Sequence, residues 1–167
     1  LSYVRFVTPI QKILIRRSVA GLLAISALLA RWPILQPASF AWSRSLAALA
    51  IRRKGIGPVA DLPALGRAWQ QGFPSPKQVP VEAVTADTVL ARIETPCPLR
   101  GSGRTRACWR MMEYDRAVAR AAGGQFIVLQ SQAEPGVAVC RVALRGTDAA
   151  IDDLVPAHIR APEMPIS

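Results

Sequence analysis

The sequence predicts an α+β protein in which N-terminal helices precede a small antiparallel sheet packed against one central helix. Helical apolar spacing runs through the first 72 residues, and strand-like alternation follows in two pairs of segments. A long amphipathic stretch lies between the two pairs. At 167 residues, 51% hydrophobic and only 19% charged, the chain has the material for a real core and is unlike a disordered one. The pattern divides it into basic hydrophobic helices at 1–56, a helix and Pro-rich connector at 57–78, a cysteine-containing α+β domain at 79–147, and an irregular tail at 148–167.

Ser18 to Ala30 is an uncharged run of thirteen residues between Arg16–Arg17 and Arg31. It falls short of the ~20 residues needed to span a bilayer. It reads first as an interfacial or short anchoring helix, then as a targeting segment of the twin-arginine kind, then as a buried core helix. Residue 1 is Leu, which fits a processed or truncated chain or a non-standard start. Ser39 opens a second helix, Phe40 to Lys54, whose basic last turn (Arg52, Arg53, Lys54) suits the helix dipole and whose stop is Gly55. Asp61 opens a third, with Leu62, Leu65 and Trp69 on one side and Gly72 at its end. Phe73 to Pro80 is a connector.

Strands are predicted at Val79–Val84 and Thr88–Glu94, then a loop rich in Pro, Gly and Arg. Thr105 is placed as the N-cap of a helix reaching about Ala122, and Gly123–Gly124 ends it. Strands at Gln125–Ser131 and Val137–Arg145 follow, flanking Glu134–Pro135–Gly136.

Charge is unevenly spread. Residues 1–56 hold nine of the 21 basic residues and no acid, and the first carboxylate is Asp61. The remainder, twelve basic against eleven acidic, is near neutral. Leu, Ile and Ala fill the spaces between the N-terminal charges, and no stacking platform recurs. A membrane surface or a membrane-protein partner is therefore favoured, and nucleic acid is not. Cys97, Cys108 and Cys140 are an odd set of three, which reads as reduced thiols or metal ligands in a reducing, cytoplasmic compartment rather than a disulfide framework.

On the Thr105 helix, Ala107, Met111, Tyr114, Val118 and Ala122 recur on one face. Arg106, Arg110, Glu113, Arg116 and Arg120 mark the polar side. Cys108, Met112 and Asp115 sit at the edge of the apolar face. Asp115 is either a carboxylate paired with a nearby Arg or the polar group of a pocket beside Cys108 and Tyr114. Cys108, near a helix N-terminus and among arginines, is expected to lean toward a thiolate, or else to be a small core residue. Cys108, Asp115 and Tyr114 are thus the candidates for any catalysis, although the one histidine, His158, is in the tail. A ligand pocket is expected from Met111, Met112, Tyr114, Asp115, Phe126 and Val128. Cys97, Cys108 and Cys140 come from a strand end, a helix start and a last strand, and converge on one metal in this reading.

From about Thr88 to Leu144 the pieces TVLARIETPCP, ACWRMMEYDR, GGQFIVLQSQ and EPGVAVCRVAL resemble the vinyl-4-reductase-like domain family, related in fold to the Bet3-type trafficking subunits. The resemblance covers about a third of the chain. It implies a binding domain for small hydrophobic or aromatic molecules and a structural zinc held by cysteines and an acid. By position, Cys108 and Cys140 match the family's helix-start and last-strand cysteines. The family's further cysteine before the glycine turn is absent here, where Gln130 to Glu134 stand, with Cys97 or Glu94 as substitutes. The leading expectation is a membrane-associated domain binding a small hydrophobic ligand and a structural zinc. The alternatives are an accessory subunit of a larger membrane complex and a cysteine-dependent, hydrolase-like enzyme.

Overall fold

The computed structural model describes residues 9–160, with side chains from Arg17 onward. The side chains of Arg5, Lys12 and Arg16 and the tail beyond Arg160 lie outside the described residues. Six α-helices and four strands make an α+β fold: α1 (Pro9–Arg31), α2 (Gln36–Lys54), α3 (Leu62–Gln71), β1 (Val81–Val84), β2 (Val89–Ile93), α4 (Thr105–Met111), α5 (Glu113–Ala121), β3 (Gly124–Gln130), β4 (Cys140–Gly146) and α6 (Ala157–Arg160). The strands pair antiparallel in the order β1-β2-β4-β3. The last strand therefore fills the centre of the sheet beside β2, with Leu90 opposite Ala143 and Ile93 opposite Cys140.

Capping residues set the helix ends. Asp61 Oδ1 accepts the Ala64 N–H at 2.7 Å to start α3. Gly55 adopts a left-handed conformation, φ 65°, to stop α2. In β2 the buried–intermediate alternation places Val89, Ala91 and Ile93 on the inner face. There they meet α3, whose Trp69 is fully buried against Phe73 and Phe126, with ring centroids 5.1 and 5.8 Å away. Gly124 is required by close approach: a Cβ there would lie 2.8 Å from the Arg145 carbonyl oxygen and 2.7 Å from Leu65.

The helix predicted over Thr105 to Ala122 is two helices. Met112, at φ −73° and ψ 11°, departs from the α-helical conformation and separates α4 from α5. Thr105 is the first helical residue, not the cap, which is Arg104.

Helices α1 and α2 form a bent pair packed on the far side of α4 and α5 from the sheet, giving three layers. The seam is made of small residues, Ala27 and Ala30 of α1 with Ser39, Ser43 and Ala47 of α2, all buried. Small side chains let helices approach closely. Across it run two groups from the polar side of the helical pattern, Arg110 and Glu113. Arg110 is 4% exposed and donates from Nε to the Ala30 carbonyl at 2.7 Å. Glu113 is 2% exposed and takes Arg44 at 2.7 Å and Arg116 at 2.8 Å. At Arg110 and Glu113 the polar side is thus an interface, while Arg106 and Arg120 stay exposed. Phe40 adds an edge-on contact with Trp109 at 5.5 Å. On the other face of the sheet the tail is pinned by Arg145, which pairs with Asp153 and donates to the Ala150 carbonyl.

Burial pushes the Glu113 carboxyl up, but the hydrogen bonds from Arg44 and Arg116 outweigh it and leave it below the usual range. Stability from this group is present above the ordinary carboxylate range and is lost as acid protonates it in the fold. Glu113→Ala strands Arg116 in a partly buried site. In urea unfolding it should lower stability by about 2–4 kcal/mol at pH 7, and by less at pH 3.

Candidate functional site

Where α1 and α2 diverge from α4, α5 and the Ile93–Cys140 end of the sheet, they enclose a cavity of about 410 Å³. That volume lies within the range of small-molecule sites. The floor is buried: Ile93 from β2, Met111 and Met112 at the α4–α5 break, Asp115, Gln132 and Cys140. Leu23 and Leu46 line the helical wall, and Phe73 and Tyr114 the opposite one. The rim is exposed and carries Leu22, Leu49, Arg53 and Lys54. The break at Met112 is what turns two consecutive methionines toward one space, and flexible thioethers suit a wall that adapts to its contents.

Four of the six residues predicted to bind a ligand line this cavity: Met111, Met112, Tyr114 and Asp115. Phe126 and Val128 do not. Phe126 is packed on Trp69, and Val128, opposite Val142, is buried further along the sheet from its Ile93–Cys140 end. Strand alternation identifies their inward face but not which end of the sheet is left open. The residues that pattern reading missed come from the N-terminal helices, the connector around Phe73, Ile93, Thr95 and Pro96 at the end of β2, and Gln132.

Gln132 is fully buried and uses both ends of its amide. Oε1 accepts from the Cys97 N–H at 3.0 Å and Arg100 Nε at 3.2 Å, while Nε2 donates to the carbonyls of Ile93 and Thr95. It ties the loop after β2 to the turn before β4 and so holds the floor of the cavity. It stands in the segment where the resemblance places a further cysteine.

Asp115 is not paired with an arginine. Its Oδ1 accepts from Trp69 Nε1 at 3.2 Å. Burial pushes the carboxyl up to about 7, against that hydrogen bond and the pull of Arg116. Near neutral pH it is divided between a neutral hydrogen-bond donor and an anion. Tyr114 donates its hydroxyl to the Gly72 carbonyl, and burial together with Asp115 raises its pKa, so it stays a phenol.

The three thiols are free. Cys140 accepts the Gln132 N–H on Sγ at 3.3 Å, and burial pushes it up to about 12. Cys97 is likewise raised by burial, partly offset by the Leu99 N–H at 3.4 Å. Cys108 is 1% exposed, and burial raises it strongly, reinforced by Cys140 and opposed by a hydrogen bond with Ser131. The thiolate expected there is therefore not formed. The helix-terminus argument assumes a thiol open to solvent, and this one faces the core. His158 does not reach it: its ring stacks on Trp109 at 5.2 Å, and no hydrogen bond joins it to Cys108 among the described residues. Nor is the expected metal set assembled. Among the described residues no group of three or more His, Cys, Asp or Glu side chains is arranged to hold a metal ion. The thiols sense one another electrostatically, but Gln132 and backbone N–H groups occupy their surroundings.

No family model, curated protein or solved structure matches the chain.

Asp115 supplies a pH test. Its proton is held more tightly in the fold than in the unfolded chain, so the stability it contributes is complete below about pH 4 and is lost as pH rises toward 7. The loss should be on the order of 4 kcal/mol, and Asp115→Asn should flatten that slope in urea titrations across this window.

Proposed function

We propose that the protein is a membrane-associated domain that binds a small, mainly apolar ligand in the cavity between its helical pair and its sheet. The observation that carries this is the cavity itself: about 410 Å³, walled by Leu, Ile, Met and Phe, with one buried carboxylate on its floor. That carboxyl, near the border of neutral and charged at pH 7, orients a ligand by deciding which of its ends can rest on the floor, as a few polar groups do in apolar sites. The buried, protonated thiols support binding over nucleophilic chemistry.

Membrane association rests on the outer surface of the same helices. Among the described residues no single helix is long and apolar enough to cross a membrane, whereas Arg17–Arg31 and Pro33–Lys54 carry enough apolar length together, across a bend of 115°. At that bend Trp32, Ile34 and Leu35 project into solvent, Ile34 at 86% exposure, and Ile25 and Leu28 continue the apolar strip along α1. Arg31 flanks it. An aromatic and aliphatic corner beside cations, on helices without an acid, fits the interface of an anionic bilayer.

Two measurements test these readings. The neutral fluorophore N-phenyl-1-naphthylamine should brighten on binding and raise the melting temperature. Leu46→Trp, which fills the cavity from its half-buried wall, should weaken that binding by about tenfold while leaving the fold intact. If neither this probe nor any member of a hydrophobic panel binds, the ligand reading fails. Ile34→Asp should reduce co-sedimentation with phosphatidylglycerol vesicles by about fivefold or more without changing the melting temperature. Unchanged sedimentation would remove the membrane reading.

A further inference from the structure

The polarity of the cavity is graded, and the gradient has a direction. Its floor holds Asp115, the one carboxylate lining the cavity among the described residues. Its rim holds Arg53 and Lys54, both exposed and neither in an ion pair among the described residues. Between them lie Leu46, Leu49, Phe73, Ile93 and Met111. The rim cations have no competing acid on α1 or α2, since the first carboxylate in the chain is Asp61. They also follow one another in the last turn of α2, where the carbonyl end of the helix favours positive charge.

We propose that the ligand is a single-chain amphiphile with an anionic head, bound with its chain on the Met111–Ile93 floor and its head at Arg53 and Lys54. This rests on the cavity being a ligand site and adds the class and orientation of what enters it. An anionic head cannot sit on the floor, because Asp115 would repel it or the head would be buried without a cation. At the rim it stays hydrated and meets two cations, while only the apolar chain is desolvated. A cationic head would be repelled by Arg53 and Lys54 at the rim, and on the floor it would lose its water beside a carboxyl that burial keeps partly protonated near pH 7. Carboxylate and phosphate heads share this chemistry, so a free fatty acid and a lipid monoester both satisfy it.

The test is displacement of N-phenyl-1-naphthylamine from the full chain at low ionic strength by four probes with the same tail: dodecanoate, dodecyl phosphate, dodecan-1-ol and dodecyltrimethylammonium. Dodecanoate or dodecyl phosphate should bind about tenfold more tightly than the ammonium compound, and the better of the two identifies the head. The double variant Arg53→Gln/Lys54→Gln should erase that difference and leave dodecan-1-ol binding unchanged, which also shows that the cavity survives. Equal binding of all four heads, or dodecanoate and dodecyl phosphate affinities untouched by the double variant, would overturn the assignment while leaving the cavity a ligand site. Failure of every probe, the alcohol included, would instead reject the ligand site itself.

Discussion

The carboxylate of Glu113 is the contact on which the rest of this structure depends. It is nearly fully buried, yet it is the meeting point of Arg44 from the N-terminal helices and Arg116 from its own helix. A buried carboxylate without these partners would be costly, so the seam is stable only when α2 is in place. Arg110 repeats the logic from α4, reaching the open carbonyl at the end of α1. Helix ends leave such carbonyls unpaired, and a guanidinium is a ready partner for them. Together these contacts hold the helical pair against α4 and α5, beside the cavity.

The seam also explains why the cavity exists at all instead of collapsing. Along Ser39, Ser43 and Ala47 the side chains are small and the helices close on one another. Beside that stripe, on the cavity wall, stand Leu46 and Leu49, too large for so close an approach, and Met111 and Met112 at the break between α4 and α5 line the same space. One helix thus serves as a close-packed seam and as a cavity wall, according to the size of the side chain it presents.

Much of the fold could be read from residue pattern. The Asp61 cap, the Gly55 stop, both strand pairs and the alternation that puts Val89, Ala91 and Ile93 inward are local signals with local causes. The misreadings share a different cause, which is distance along the chain. Arg110 and Glu113 fall on a polar stripe by periodicity, and nothing within a turn or two reveals that α1 and α2 cover it; the Arg44 and Glu113 partners are 69 residues apart. Cys108 was read from its helix position, whereas its protonation state is decided by Cys140, Ser131 and the core around it. Part of the site is legible because Met111, Met112, Tyr114 and Asp115 share a helical segment. The rest, on α1, α2, the Phe73 connector, the end of β2 and Gln132, comes from elements that meet these residues only in the folded chain.

The same separation gives the basic N-terminus more than one role. In the sequence its charges form a single excess, nine cations ahead of the first acid. In the fold the cations with described side chains are divided among different tasks. Arg44 is held by Glu113, although its own side chain stays largely exposed. Arg31 stands next to the exposed Trp32–Leu35 corner, and Arg53 with Lys54 stands at the cavity rim, at the opposite end of α2. Charge that is already paired at contact range attracts a surface less than a free cation does, because its partner offsets much of its field. The number of cations available to a membrane is therefore smaller than the sequence excess implies. Those at the rim lie far along the helix from the exposed Trp32–Leu35 corner, so under the proposed function a surface contact and the selection of a ligand would depend on different residues of the same helical pair.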